Sequence, residues 1–393
     1  MGQVVPPDFW YQPSVVRHLG CLDLPAVLRK VAAVPGWSQD DLARLLAYSR
    51  PTLNKIINGV RPLRVDELSS IVHALKIPAH LLGFADVGAV SQTIEARQSY
   101  FVVRQTTVKC AAIEREYGGN AVASYLVREV DKWAPVVRDS TSRPLIASFG
   151  ELCALTGYAH YDAQCHGKAG YYYDVGLQAA HESGDRNLAS QVRALMSMKA
   201  TWLYRPGEGA AHCLAALEAA RARRDMVTSM LLGRQARSES PCGDRRTVHR
   251  LLAECKEIAA ASAPLDTPVA YWTSLEVFGN AGIAYKDIGE FALAEENLAR
   301  AISLAGKSNS RDITLYLGMM SRLLLKQDRI EEAIEVVDRI LASRVLSGRA
   351  TKQLALFVAK TEHLYGSRLR EVRARIRQVL AMSRTAENHA SSQ

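Results

Sequence analysis

The sequence has little with which to cross a membrane, staple itself together or perform chemistry. No apolar run approaches the ~18 residues of a spanning helix, and the first residues lack a charged stretch followed by a hydrophobic one. Neither a membrane anchor nor a secretory leader is expected. Seven cysteines are odd in number, widely scattered and without a C-x-x-C pair, which argues for reduced thiols in a cytoplasm rather than a disulfide framework. There is no phosphate loop of the Walker type, no H-E-x-x-H and no G-x-S-x-G, and Gly207, Glu208 and Gly209 lack the spacing of a nucleotide fingerprint. The densest set of potential metal ligands, His160, Asp162, Cys165 and His166, fits no standard zinc pattern. No enzyme activity, metal or cofactor is expected.

What remains is a chain of 393 residues, 48% hydrophobic and 23% charged, long enough for two or three globular domains. Its net charge of +9 is mild for that length. The distribution says more: between Arg17 and Arg64 eight Lys/Arg face three acidic residues, which favours a nucleic-acid contact near the N-terminus.

One stretch there, residues 38–60, reads as two short helices joined by a tight turn. Ser38 is a good N-cap, and Asp40 and Asp41 put negative charge where the helix dipole favours it. Leu42, Ala43, Leu45 and Leu46 form an apolar stripe at helical spacing. Ser49 caps the next helix, Pro51 stands where a missing N–H costs nothing, and Gly59 ends it. Leu53, Ile56 and Ile57 are its buried face. Arg50, Thr52, Asn54, Lys55 and Asn58 point outward, a row of donors with no acid among them. Such a row suits the major groove, where Arg can fork onto guanine and Asn onto adenine, although a solvated helix face has the same composition.

The order of these parts resembles the phage-repressor-like (Xre-type) helix-turn-helix domain over residues 22–84. Gln39 matches that family's helix-opening glutamine, Ala43 its small residue facing the turn, and Gly59 its closing glycine. The resemblance implies that the second helix enters the major groove. Arg50, Pro51 and Lys55 would then face base edges, and Gln39, Ser49 and Asn54 phosphate. Pro51 departs from the usual polar residue, so readout there is apolar or absent. Arg61 and Arg64, in the segment leaving the recognition helix, suit phosphate contact.

Around this stretch, Phe9, Trp10 and Tyr11 are expected to pack onto the small domain. Asp23 caps a helix with Leu24, Val27, Leu28 and Val31 inward. Residues 66–75 and 78–83 supply two more helices, making five in an all-α domain over 1–83. A hinge over 84–92 leads into helical linker segments up to 144. From 145 to 383 the chain is helix-rich and repeats.

Its clearest unit resembles the tetratricopeptide repeat: Phe278, Asn280, Gly282, Tyr285, Gly289, Phe291, Ala294, Leu298 and Ala301. Gly282 and Ala294 are small because two antiparallel helices approach there. Weaker copies place Ala169, Ala210, Thr247 and Ala333 in the corresponding position. The fold expected is therefore all-α: a five-helix head followed by a right-handed solenoid of about five hairpins, with a non-repetitive bundle as the alternative. The helix over 367–382 carries five arginines between 368 and 377 and would cap the solenoid, a second phosphate strip or a dimer contact being alternatives. Residues 384–393 are expected to be a disordered tail.

Carried over from the repeat register, the inner wall would present Tyr158, Tyr161, Asp162, Lys199, Trp202, Lys286, Asp287, Arg322 and Lys326. Aromatics beside both signs of charge suit a peptide or small polar ligand. The resemblance implies a cytoplasmic regulator that binds a two-fold DNA operator as a homodimer and senses an effector in the solenoid groove. The alternative is an interaction scaffold whose helix-turn-helix domain does not read DNA.

Overall fold

The computed structural model describes residues 5–20, 23–61, 63, 65–82, 96–220, 223–269, 271–305, 310–343 and 346–391. Two compact units divide the chain, Met1–Lys109 and Cys110–Gln393. Among the described residues no helix is long and apolar enough to cross a membrane.

The first unit builds helices α1 (Pro13–Gly20), α2 (Leu24–Ala32), α3 (Gln39–Leu45), α4 (Arg50–Ile57) and α5 (Val65–Ala74), with short 3-10 turns at Pro7–Tyr11 and Ala79–Leu82. Helix α1 is an addition to the five expected; its Val15, Val16 and Leu19 join Phe9 and Trp10 in the core. Asp23 caps α2 by accepting from the Ala26 N–H, and Leu24, Val27, Leu28 and Val31 are all buried. The stripe on α3 is narrower than expected: Leu42, Ala43 and Leu46 are buried, but Leu45 is 41% exposed. One turn of helix after Leu42 the seven-residue α3 has ended, and Leu45 is left on its outer side. The Arg64 side chain and the hinge over 84–92 lie outside the described residues.

Helix α6 (Ala96–Tyr117) carries the division between the units. The second unit continues with α7 (Ala123–Arg138), α8 (Arg143–Asp162), α9 (His166–Ser183), α10 (Arg186–Trp202), α11 (Pro206–Ala220), α12 (Met226–Glu239) and α13 (Arg245–Ala261). Strands β1 (Leu265–Asp266) and β2 (Tyr271–Trp272) form a small antiparallel ladder, where Pro264 and Pro268 forbid helix. Then follow α14 (Ser274–Asp287), α15 (Phe291–Leu304), α16 (Ser310–Lys326), α17 (Ile330–Leu341), α18 (Gly348–Thr361) and α19 (Ser367–Ser391). The segment read as a helical linker is therefore part of this unit from Cys110 onward, with α7 packed on α8.

Helices pair in chain order as hairpins, α8 with α9, α10 with α11, α12 with α13, α14 with α15 and α16 with α17. The first helices of successive pairs also touch, from α8 through α10, α12, α14 and α16 to α18. Close approach explains the small residues. A Cβ on Gly282 would stand 2.7 Å from Leu298 Cγ and 3.1 Å from the Ala294 carbonyl, and one on Gly157 would stand 3.0 Å from the Ala169 carbonyl. Most of the arginines between 368 and 377 are spent on neighbours: Arg368 bonds Glu331 at 2.9 Å, Arg375 bonds Asp338 at 2.7 Å, Arg377 bonds Glu362 at 3.1 Å, and Arg373 donates to the Thr361 carbonyl. That fits a cap better than a phosphate strip. The helix runs on to Ser391 instead of ending before a tail, since residues 384–391 contain neither Pro nor Gly.

A buried polar cluster joins the start of this unit to its end. Arg349 on α18 donates to Asp162 on α8 at 2.8 Å, and the Gly119 N–H donates to the same carboxylate at 2.9 Å. The Tyr158 hydroxyl accepts from both Arg349 and Arg311. Burial opposes the Asp162 charge, but Arg349 and Arg311 hold its carboxyl below the ordinary 3.8. Glu114 faces Arg311 at 3.5 Å without a hydrogen bond, and burial pushes its carboxyl up to about 7. Burial, with the like charge of Asp312, pushes Glu276 up to about 8.

Two outcomes are expected. Gly282→Val should cost about 1–3 kcal/mol by overpacking, read as a lower denaturation midpoint. Glu114 and Glu276 hold protons in the folded chain that they lose near 4.5 when unfolded, so their contribution is complete below that pH and is lost as pH rises through 7 and 8. The unfolding temperature should fall between pH 5.5 and 8.5 on the order of a few degrees, and Glu114→Gln with Glu276→Gln should flatten that slope; an unchanged slope in the double variant counts against this assignment.

Candidate nucleic-acid interface and an interior basic cleft

Helices α2, α3 and α4 pack on one another around Leu42, Leu53, Ile56 and Ile57. Ser38 and Asp41 form a reciprocal capping box at the start of α3, and the Ser38 hydroxyl holds the Asp41 carboxyl below its ordinary range. The turn into α4 closes with the Tyr48 N–H on the Ala43 carbonyl at 2.9 Å and Ala47 in the left-handed region at φ 56°. Ser49 then caps α4 through the Thr52 N–H, and their hydroxyls meet at 2.8 Å. At the far end Gly59, at φ 71°, lets the Val60 N–H reach back to the Lys55 carbonyl at 2.9 Å. A side chain there would strain the turn.

These locks leave Arg50, Pro51, Asn54, Lys55 and Asn58 exposed on one side of α4, with Thr52 and Gln39 half-buried beside them. Asn58 donates to Asn54 at 3.2 Å, and among the described residues Lys55 makes no side-chain bond or ion pair. The donor row is less bare than its sequence indicates. Arg50 pairs with Asp40, across the turn on α3, at 3.1 Å. Both partners are more than half exposed, and such a pair contributes about 0–1 kcal/mol, so a phosphate or guanine can displace it. Arg61 is different. It bonds Glu67 on α5 at 2.6 Å, with its guanidinium beside the Tyr48 ring, and both groups are partly buried. Arg61 ties the loop after α4 to α5 rather than offering a free hand to phosphate, because the Gly59 turn carries it back over Glu67.

The nine residues expected to line the inner wall of the second unit separate into four groups. Trp202, Lys286, Asp287 and Arg322 do line one cleft of about 270 Å³. Tyr158 borders a smaller cavity of about 60 Å³ beside it, and Trp202 and Arg237 belong to both. Tyr161 and Asp162 are fully buried in packing and the ion pair with Arg349, because the start of α18, at Gly348 and Arg349, closes over the end of α8. Lys199 and Lys326 line neither space; Lys326 lies 5.8 Å above the Phe291 ring. The loop between α13 and α14 covers the smaller cavity: Arg115 donates to the Thr267 carbonyl at 3.1 Å and stacks on Tyr271, and Thr267 donates to Gln191 at 2.9 Å.

Arg237, Lys352 and Gln353 were missed in this cleft. A signal for the first was present: Arg234 and Arg237, three apart, are the two cations of helix α12, whose first eight residues carry no charge. The metal-like group is dispersed. His160 stacks on Tyr172 and is pulled down to about 4 by burial, Asp162 serves Arg349, and Cys165 is exposed at the start of α9. Among the described residues no three His, Cys, Asp or Glu side chains stand close enough to hold a metal ion.

None of the curated proteins matches this chain. A helix-turn-helix family model matches residues 35–82, from just ahead of the Ser38 cap to the turn Ala79–Leu82. The first unit therefore carries a helix-turn-helix domain.

Proposed function

We propose that the chain is a sequence-specific DNA-binding transcription regulator that lays α4 in the major groove. The exposed Arg50 and Lys55 on a helix whose other face is locked by Leu53, Ile56 and Ile57 carry this reading. Arg50 and Lys55 would read base edges and Asn54 would contact phosphate. One such helix reads only a few base pairs, so two copies are required, on half-sites about 34 Å apart. We read the second unit as a right-handed tetratricopeptide-like solenoid that supplies self-association and takes an effector in its inner cleft. Its support is the shared close approach at Gly157 and Gly282 and the unbroken contact from first helix to first helix. In this reading the chain works by binding, in the cytoplasm, and catalyses nothing.

Random-oligonucleotide selection on the full chain tests the DNA claim; recovery of a scattered pool would instead favour a scaffold that binds protein partners. On the selected operator, Arg50→Ala should cost about 1–3 kcal/mol and relax one position. Asp40→Asn should tighten binding at low salt by removing the competing carboxylate. Equal loss on operator and random DNA for Arg50→Ala would remove base readout from the account. Native mass spectrometry should show a dimer; monomer alone, with and without operator, defeats the two-copy arrangement.

A further inference from the structure

The cleft of about 270 Å³ in the second unit has more donors than acceptors. Four cations, Arg237, Lys286, Arg322 and Lys352, face a single carboxylate, Asp287. That carboxylate is already engaged, by Lys286 at 3.0 Å and by the Ser240 hydroxyl at 3.4 Å. Arg237 is 9% exposed, yet its guanidinium makes no hydrogen bond and no ion pair among the described residues. Arg322 spends one nitrogen on Gln353 at 3.0 Å and leaves its buried Nε without a partner, as Gln353 leaves its Nε2. Asp287 is the one opposite charge that acts on Arg237, and burying several cations around a single carboxylate is costly, since native interiors pair such groups. Beside the donors, Ile283, Met319, Leu356 and the Trp202 ring offer apolar and aromatic wall.

We propose that this cleft is the binding site of a small organic anion, a single carboxylate or phosphate carried on an apolar or aromatic body. The anionic group would lie against Arg237 and Arg322, completing their valences, and Lys352 would close over it from the exposed mouth. The body would rest on Trp202 and Met319. The volume suits a ligand of small-metabolite size and is too small for a folded partner. This deepens the reading of the solenoid as an effector sensor and rests on it; the binding itself is measurable with no DNA present.

Phenyl phosphate and phenylacetate serve as probes, with benzyl alcohol and phenylacetamide as their uncharged counterparts, each titrated by calorimetry onto the full chain. Both anions should bind saturably, and the uncharged counterparts at least tenfold more weakly. Comparison of the two anions separates a phosphate site from a carboxylate site. Arg237→Gln should weaken the better anion at least tenfold. Because Arg237 is interior, Lys352→Gln at the mouth is the second variant, with a loss of about threefold to tenfold. Binding of uncharged and anionic probes with equal affinity overturns the proposal, as does full affinity in both variants. Loss of operator recognition with anion binding intact would count against the DNA reading and leave this site standing.

Discussion

The Asp162–Arg349 ion pair is the constraint on which the second unit depends. It joins α8 to α18, two helices separated by most of the unit's sequence, and does so where neither side chain reaches water. Removing one partner of such a pair leaves a buried charge uncompensated, at a cost of about 3–5 kcal/mol. Tyr158, Arg311 and the Gly119 N–H share the same charges, so the joint is a network rather than a single contact. This network closes the start of α18 onto α8, and the wall beside it holds two small spaces of about 60 and 270 Å³, the larger with an open mouth.

That closure decides what the wall can do. Residues that an open array would offer to a partner, Tyr161 and Asp162 among them, are consumed in holding the array shut. Those farther along, Arg322 and Gln353, are left with unmet hydrogen-bonding capacity in a small cleft that Arg237 also lines. Glu114 and Glu276 illustrate the energetic consequence: carboxyls taken into the same interior hold their protons close to neutrality, which reduces the number of charges the fold must bury.

The first unit is organised by local rules instead. Its capping box, its left-handed turn at Ala47 and its Gly59 terminus each act within a few residues and together fix which side of α4 faces out. The arginine partners are a tertiary addition. Asp40 sits ten residues before Arg50 and Glu67 six after Arg61, yet the two contacts differ in kind: one is exposed and exchangeable, the other half-buried and structural.

The chain by itself determined the caps, the helix-turn-helix register and the alternation of paired helices, because all of these arise from residues within a turn or a hairpin of one another. Ser38, Ser49, Gly59, Gly282 and Ala294 state their roles through spacing alone. Three-dimensional closure alone decided that Asp162 meets Arg349, that Arg61 is tied down, that the segment after Cys110 belongs to the second unit, and that Arg237 faces an acceptor-poor cleft. Those facts depend on contacts between residues far apart in the chain, for which side-chain periodicity holds no record.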